Sequence, residues 1–238
     1  MISLAPIEKC LFQRYKFLYR KDFKWLLKLR EKMGVPHVYH RSLDHQQLIF
    51  IHIPKCAGSS LGTALAGTDI IGHYPWEVYR NYDAKKFENH LKFAVLRDPI
   101  ERFISAYSFL LNGGKGGVDM RSQDIIRAKS TDINEFVQKH FDKKLMFDII
   151  HFVPQHNFVT DYENKLMVDL LFPLNKMERG IEILKKELGR DLSIDHVNKT
   201  SGKKIVLEEA SIEKLKELYD IDIELYKSVS NEIHFNRH

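Results

Sequence analysis

The sequence has very little cysteine and no long hydrophobic run. Its 238 residues include two cysteines, Cys10 and Cys56, too few for a disulfide framework or a cysteine-based zinc site. No stretch approaches the ~18 consecutive apolar residues that a membrane-spanning helix requires. Near the start, Glu8 and Cys10 stand where a signal peptide would be apolar. We therefore expect a globular protein of a reducing compartment, without a membrane span or a secretory leader.

Positive charge is concentrated in one short segment. The 37 basic and 32 acidic residues give a net charge of +5, but the segment from Arg14 to Lys32 alone contains eight basic and two acidic residues. At helical spacing this segment has one aromatic and apolar face and one basic face. Two interpretations stay open: a helix docked on the domain with a solvated basic face, or a surface for an anionic membrane or anionic polymer.

Alternating strand and helix patterns predict an α/β fold. Apolar runs typical of buried strands occur at 47–53, 91–97 and 165–172, and helical patterns at 59–65, 100–111, 177–189 and 212–229. This alternation favours a P-loop-like parallel sheet flanked by helices. With 44% apolar residues, the chain can bury the core of one domain. We predict a basic helical extension over residues 1–46 and a single domain over residues 47–238.

A loop rich in small residues follows the first predicted strand, in the segment FIHIPKCAGSSL. Small side chains let backbone N–H groups approach an anion, and the N-terminus of the following helix adds further donors. The loop differs from the nucleotide P-loop G-x-x-x-x-G-K-[ST], because its lysine precedes the glycine. An ordinary strand-to-helix turn with a serine cap is the alternative. The residues expected to surround an anion here are Lys55, Cys56, Ala57, Gly58, Ser59 and Ser60.

A second motif, VLRDPIERFISAY, follows the second predicted strand. It places Arg97 at the carboxyl end of the strand and Ser105 about two turns into the next helix. Ligands of open α/β sheets bind at such strand ends, where a guanidinium can clamp a phosphate. For this motif alone, pairing of Arg97 with Asp98 or Glu101 is the favoured alternative. The later GGKGG at 113–117 follows a helix, and we interpret it as a mobile loop.

Together, the two motifs resemble those of the PAPS-dependent sulfotransferases, in particular the carbohydrate O-sulfotransferases that include the uronyl and heparan 2-O-sulfotransferases. HIPKCAGSSL is similar to their 5′-phosphosulfate loop, and VLRDPIERFISAYSFL to their 3′-phosphate segment. GHYPWEVY (72–79) resembles the segment that carries the catalytic base in the heparan 2-O branch. HVNKTSGKK (196–204) resembles a loop that closes over the nucleotide.

This resemblance implies transfer of the sulfuryl group from PAPS, with 3′,5′-ADP as product and no metal. It assigns the backbone of residues 55–60 to the 5′-phosphate, and Arg97 and Ser105 to the 3′-phosphate. Thr200 and Lys203 would contact the nucleotide from the C-terminal loop. Lys55 would also neutralise the oxygen from which the sulfuryl group departs.

The resemblance further implies a carbohydrate hydroxyl as acceptor and His73 as its general base. A histidine titrates near neutral pH, which suits that role. The rivals of His73 are Glu77, His52, His90, His151 and His156. Gln155 and His156, in HFVPQHNFVTD, are expected at the acceptor, although a local turn around Pro154 explains them almost as well.

Two functions of other classes stay open. One is a P-loop-like nucleotide kinase, which the missing Lys-Ser/Thr pair disfavours. The other is a non-catalytic module that binds an anionic polymer through the segment from Arg14 to Lys32. We expect no nucleic-acid partner and leave the oligomeric state open. A cytoplasmic location is expected, with a peripheral contact of this segment at an anionic membrane or glycan; a lumenal enzyme separated from its anchor is the alternative.

Overall fold

Four strands form one mixed sheet at the centre of the domain. The computed structural model describes residues 37–189, 191 and 205–236. The strands are β1 (Leu48–Phe50), β2 (Leu91–Leu96), β3 (Leu170–Pro173) and β4 (His234–Phe235). The first three are parallel and adjacent in that order. β4 pairs antiparallel with β3, which corrects the prediction of a wholly parallel sheet: after its last helix, the chain returns along the outer edge of β3.

Helices cover this sheet, and three of them confirm predicted helices: α2 for 59–65, α5 for 100–111 and α10 for 177–189. The helices are α1 (Arg41–His45), α2 (Gly58–Ala66), α3 (Trp76–Tyr82), α4 (Ala84–Asn89), α5 (Pro99–Leu111), α6 (Val118–Lys129), α7 (Ile133–Glu135), α8 (Lys143–Asp148), α9 (His156–Val159), α10 (Met177–Leu188), α11 (Glu209–Leu218) and α12 (Asp220–Asn231). A π-helical turn at Phe136–His140 follows α7, and a 3₁₀ turn at Leu174–Lys176 precedes α10.

The three parallel strands are buried along their whole length. This burial explains their largely apolar sequences, because a parallel sheet is covered on both faces. The charged residue within them, Lys92 on β2, pairs with Asp169 at 2.9 Å. Aromatic rings pack across the sheet: the ring centroids of the register partners Phe50 and Phe93 lie 4.7 Å apart, and those of Phe93 and Phe172, two positions out of register, lie 6.5 Å apart. The packed sheet is a firm support for the loops at its carboxyl edge.

Two predicted elements differ from the structure. The predicted helix 212–229 is divided into α11 and α12 at Tyr219, whose buried hydroxyl donates to the carbonyl of Phe152 at 2.7 Å. The predicted strand 165–172 begins only at Leu170, because residues 161–165 form a turn that Asp161 closes by accepting from Lys165 N–H. A hydrogen bond between residues distant in sequence accompanies the break between α11 and α12, whereas a local turn precedes the late start of β3.

A second core packs the inner face of α5 against the segment that follows it. The rings of Phe103 and Phe141 lie 4.8 Å apart, and those of Phe103 and Phe152 lie 5.1 Å apart. Tyr107, one turn further along α5, is also buried. This core fixes α5, and therefore Ser105, relative to the sheet.

The predicted N-terminal extension lies mostly outside the described residues, and its segment from Arg14 to Lys32 does so entirely. Where the structure begins, α1 is tied to the domain. Asp44 on α1 accepts from Lys86 Nζ at 2.5 Å and contacts His90 Nε2 at 2.9 Å. The boundary at residue 46 stays a prediction. In the part of the chain that is described, no helix is both long and apolar enough to cross a membrane.

Candidate active site

The carboxyl ends of β1, β2 and β3 open onto one large cleft. Its volume is about 1890 Å³. Residues within 55–60, 97–109 and 174–185, which follow the three strands, line one part of it. The remaining lining residues are His52, residues within 69–73 and 115–119, Ile150, His151 and Tyr226. The position at the strand ends is the one at which open α/β sheets bind ligands.

The loop after β1 turns the chain sharply into α2. Lys55 and Ala57 adopt left-handed backbone conformations, with φ of 68° and 60°, which costs non-glycine residues on the order of 1 kcal/mol each. The N–H of Leu61 donates to the carbonyl of Ala57 at 3.1 Å, as in a regular helix. The N–H groups of residues 58–60 precede this bond and lie at the positive end of the helix, where an anion is stabilised.

Gly58 begins α2 in direct contact with the His52 ring. A Cβ atom at Gly58 would lie 1.6 Å from His52 Nε2, so no side chain fits there. His52 Nδ1 lies 3.0 Å from the carbonyl oxygen of Ile71 and donates to it, because a carbonyl only accepts. Burial, followed by the charge of His73, holds the pKa of His52 well below 6.5. His52 is thus a neutral ring that joins β1, α2 and the segment before His73.

Lys55 extends its ammonium group into the cleft over an aromatic ring. Its Nζ lies 3.7 Å from the centroid of Phe109, within the range of a cation–π contact. Burial, followed by the positive charge of Arg97, lowers the pKa of Lys55 from 10.5 to about 8. Because the positive charges of Lys55 and Arg97 repel each other, an anion bound near both would be stabilised by the two cations.

Arg97 and Ser105 both line the cleft, as predicted from the second motif. The Arg97 backbone is held by Gln155, whose Oε1 accepts from Arg97 N–H at 2.9 Å and whose Nε2 donates to the Arg97 carbonyl at 2.8 Å. Arg97 Nε lies 3.5 Å from the exposed carboxylate of Glu101, a pair worth only ~0–1 kcal/mol. Asp98 instead caps α5, accepting at 3.0 Å from the N–H of Glu101. A phosphate can therefore compete for the Arg97 guanidinium.

The structure corrects the prediction that Gln155 contacts the acceptor. Gln155 is fully buried, and its amide group is occupied by the backbone of Arg97. Its Oε1 also accepts from the Cys56 thiol at 3.3 Å. Burial raises the pKa of Cys56 to about 12, so this residue is a protonated packing group. Gln155 thus holds the Arg97 backbone and contacts Cys56 in the loop after β1.

His156 is not among the residues that line the cleft, and its predicted contact with the acceptor stays a prediction. Its Nδ1 is 2.8 Å from Oδ1 of the buried Asp222. Its ring borders a separate cavity of about 440 Å³ beside α12. Asp222 also accepts from the N–H groups of Gln155 and His156, at 2.7 and 2.9 Å. The sequence QH therefore supports the turn at 155–156 and does not face the cleft.

His73 lines the cleft, whereas its rival Glu77, on α3, is not among the lining residues described. His73 Nδ1 donates to the His52 carbonyl at 3.0 Å, which leaves the lone pair of the neutral ring on Nε2. Burial lowers the pKa of His73 below 6.5, although the His52 hydrogen bond and the Asp119 charge act in the opposite direction. His73 is therefore neutral near pH 7, the form that a general base requires.

The cleft also contains Asp119, which the motifs did not reveal, and His151, which appeared only as a rival base. The rings of His73 and His151 lie 5.7 Å apart, and His151 Nδ1 lies 3.8 Å from Oδ1 of Asp119. Burial, followed by the charges of His73, Lys55 and Arg102, lowers the pKa of His151 to about 3. Arg102, itself buried, donates to the carbonyls of His151 and Val153. A signal for Asp119 was its place just after GGKGG, at the start of a helix.

Two predicted nucleotide contacts, Thr200 and Lys203, lie outside the described residues. Within the described ranges, no group of three or more His, Cys, Asp or Glu side chains is arranged to hold a metal ion. The remaining predicted contacts with the 5′- and 3′-phosphates lie at or directly beside the cleft. Among these predicted contacts, Cys56 is the residue that does not line the cleft, and it is buried.

Comparison with known proteins supplies one match. A family model described as "Sulfotransferase family" matches residues 41–227, which include both motifs, His73 and all three parallel strands. Searches of curated proteins and of solved structures gave no match.

Proposed function

Because the chain belongs to the sulfotransferase family, we propose that it transfers the sulfuryl group of PAPS to a hydroxyl of a carbohydrate acceptor and releases 3′,5′-ADP. The observation that carries this proposal is the convergence of two anion-binding groups on one cleft, Lys55 with α2 after β1 and Arg97 with Ser105 after β2. PAPS supplies an activated sulfuryl group between a phosphate and the acceptor. A donor with phosphates at both ends matches two separate cationic groups.

The loop after β1 is proposed to bind the 5′-phosphosulfate end. The N–H groups of residues 58–60 and the hydroxyls of Ser59 and Ser60 are donors for phosphate oxygens. The ammonium of Lys55 stabilises the negative charge that develops on the phosphate oxygen as its bond to sulfur breaks. Its lowered pKa shows that burial and the neighbouring Arg97 disfavour its charge, and a bound anion would offset that cost.

The segment after β2 is proposed to bind the 3′-phosphate. The Arg97 guanidinium is a planar donor that suits phosphate oxygens, and Ser105 adds a hydroxyl two turns away. The Gln155 hydrogen bonds fix the Arg97 backbone, so less ordering is needed when the nucleotide binds. Thr200 and Lys203 remain proposed nucleotide contacts.

His73 is proposed to remove the proton of the acceptor hydroxyl. Its Nδ1 hydrogen bond to the His52 carbonyl directs the basic lone pair to Nε2. Transfer of a sulfuryl group resembles transfer of a phosphoryl group, so positioning and charge stabilisation carry most of the catalysis. The family resemblance of the 72–79 segment supports the base and a sugar hydroxyl. Apolar side chains beside it, including Ile71 and Phe109, can contact the C–H face of a sugar.

Nucleotide binding is the first test. At ~100-fold excess over its Kd, 3′,5′-ADP should raise the free energy of unfolding by about 2.7 kcal/mol, whereas 5′-AMP should do much less because it leaves Arg97 and Ser105 without a phosphate. Arg97→Ala should remove most of the difference between the nucleotides. Arg121→Ala, on the exposed side of α6, is the matched control. Equal stabilisation by the two nucleotides contradicts the proposed 3′-phosphate site.

Turnover is the second test. Sulfate transfer from labelled PAPS, without added metal, should be measured against heparosan, chondroitin, dextran and a neutral glycolipid. Transfer to at least one of them supports the proposed acceptor class. Phosphate transfer from ATP with Mg²⁺, without any transfer from PAPS, would instead identify a kinase.

A further inference from the structure

We propose that Asp119 is a positioning residue for the base: its carboxylate stabilises the imidazolium that His73 becomes when it takes the proton of the acceptor hydroxyl. The inference rests on the proposed role of His73. In that step the acceptor O–H bond breaks as an N–H bond forms at His73 Nε2. The acceptor oxygen bonds to sulfur while the bond from sulfur to the phosphate oxygen breaks. The electron pair of that bond remains on the phosphate oxygen.

When His73 takes the proton, it gains a positive charge that burial and the nearby lysines already disfavour. Asp119 and His73 line the same cleft and share one neighbour, His151: Asp119 Oδ1 lies 3.8 Å from His151 Nδ1, and the ring centroids of His151 and His73 lie 5.7 Å apart. The charged side chains that act on His73 are the cations of Lys55 and Lys115 and the anion of Asp119. The adjacent rings of His52 and His151 are neutral, since burial depresses the pKa of each. Asp119 is thus the neighbour whose charge favours the protonated base.

The glycine segment 113–117 holds the Asp119 carboxylate in place. Asp119 lies in the first turn of α6, and its Oδ2 accepts from the Lys115 N–H at 3.0 Å. Gly114 has φ of 58°, and a Cβ there would lie 2.4 Å from Asp119 Cβ and 2.5 Å from its Oδ2. Only 14% of the Asp119 side chain is exposed. The absence of a side chain at Gly114 is therefore what lets Asp119 occupy this position.

An ion pair joins the same segment to the part of the chain that carries the base. Lys115 Nζ lies 2.5 Å from Oδ2 of Asp69, four residues before His73. Turns within the segment are hydrogen-bonded, for example from Gly116 N–H to the Gly113 carbonyl at 3.1 Å. The backbone of GGKGG thus holds the Asp119 carboxylate, and its lysine adds an exposed ion pair, worth ~0–1 kcal/mol, with the segment before His73.

The test begins with Asp119→Asn, because asparagine keeps the size and an acceptor for Lys115 N–H but removes the charge. The His73 imidazole is titrated by NMR in the free protein, which needs no acceptor. Loss of the negative charge should lower the pKa of His73 by about one pH unit. Asp124→Asn, at an exposed position on the same helix, should leave that titration unchanged. An unchanged His73 titration in Asp119→Asn overturns the inference.

Kinetics supply the second readout. With PAPS and the best acceptor of the panel above, Asp119→Asn should lower kcat by ~10- to 100-fold, part of the usual contribution of a general base. The acidic limb of kcat/KM should move to lower pH, and 3′,5′-ADP affinity should not weaken. Gly114→Ala, which displaces the carboxylate, should reproduce the pH change and add little in the Asp119→Asn background.

The outcomes separate the inference from the proposed function. If His73→Ala abolishes turnover while Asp119→Asn keeps the wild-type rate and pH profile, the base stands and the role of Asp119 is overturned. If His73→Ala keeps more than about a tenth of the rate, His73 is not the base and the inference falls with it. Nucleotide discrimination by Arg97 is independent of both results.

Discussion

Replacement of Gly58 by alanine tests the packing at the start of α2, where the loop after β1 meets the histidines of the cleft. The added Cβ would lie 1.6 Å from His52 Nε2 and 1.9 Å from its Cδ2, so the ring must move. His52 is only 6% exposed and has little room to do so. Its displacement would break the Nδ1 hydrogen bond to Ile71 and disturb His73, whose ring lies 4.2 Å away.

The expected cost of Gly58→Ala follows from these contacts. Forcing extra atoms into a packed interior costs ~1–3 kcal/mol, and loss of the buried hydrogen bond from His52 adds ~0.5–1.5 kcal/mol. We therefore expect a loss of about 2–4 kcal/mol in the free energy of unfolding. For a chain of this size that is a fall in Tm on the order of 4–16 °C. Helix propensity alone predicts the opposite sign, a gain of roughly 0.5–1 kcal/mol.

The assay is reversible urea unfolding of four proteins: wild type, Gly58→Ala, His52→Ala and the double variant. If the clash with the ring causes the loss, Gly58→Ala should cost less than about 1 kcal/mol once His52 is alanine. Binding of 3′,5′-ADP should weaken in Gly58→Ala, because the N–H groups of α2 shift. A Gly58→Ala protein as stable as wild type would refute the packing argument, and an equal loss in both backgrounds would refute the assignment of that loss to His52.

Two further predictions concern pH. Because the pKa of Lys55 is lowered to about 8, 3′,5′-ADP affinity measured by calorimetry should fall by up to about tenfold per pH unit above pH 8; Lys55→Arg should not show this fall, and a flat wild-type profile would contradict the role of the ammonium. For Asp222, burial by itself raises the pKa, but hydrogen bonds from His156 and the charge of Arg102 outweigh it and hold the pKa below 3.8. A depressed carboxyl pKa contributes stability that is present above the unfolded-state pKa and lost as pH falls through the folded-state pKa. Asp222→Asn should therefore lose ~1–3 kcal/mol at pH 7 and show a smaller further loss between pH 4 and pH 2; urea unfolding curves that change with pH in parallel for the two proteins would count against this.

Most regular elements could be predicted because their signals are local. Mostly apolar runs identified all three parallel strands, and helical periodicity identified α2, α5 and α10. The extra edge strand β4 could not be predicted in this way, since two residues at the end of the chain carry no pattern of their own. The break at Tyr219 was also hidden, because it depends on a hydrogen bond to Phe152, 67 residues earlier.

The segment HFVPQH shows that residue type and sequence context do not determine the direction in which a side chain points. Gln155 and His156 were expected at the acceptor, but both are directed to other partners: Arg97, 58 residues earlier, and Asp222, 66 residues later. A buried amide and a buried carboxylate both need hydrogen-bond partners. The Gln155 amide bonds to the backbone of Arg97, and the Asp222 carboxylate accepts from the N–H groups of Gln155 and His156. The polar residues that suggested an acceptor contact form a hydrogen-bonded network with Arg97 and Asp222.

The sequence by itself determined where the groups that we propose to bind anions stand along the chain. Small residues before a helix, and an arginine after a buried strand, are local patterns whose place at the edge of a parallel sheet follows from chain direction. Only the tertiary structure decided the protonation and the hydrogen-bond partners of the side chains in the cleft. The tautomer of His73, the lowered pKa of Lys55 and the contact of Asp119 with the glycine segment depend on burial and on charges brought together from distant positions. Dielectric environment and interatomic distance set these properties, and both exist only once the chain has folded.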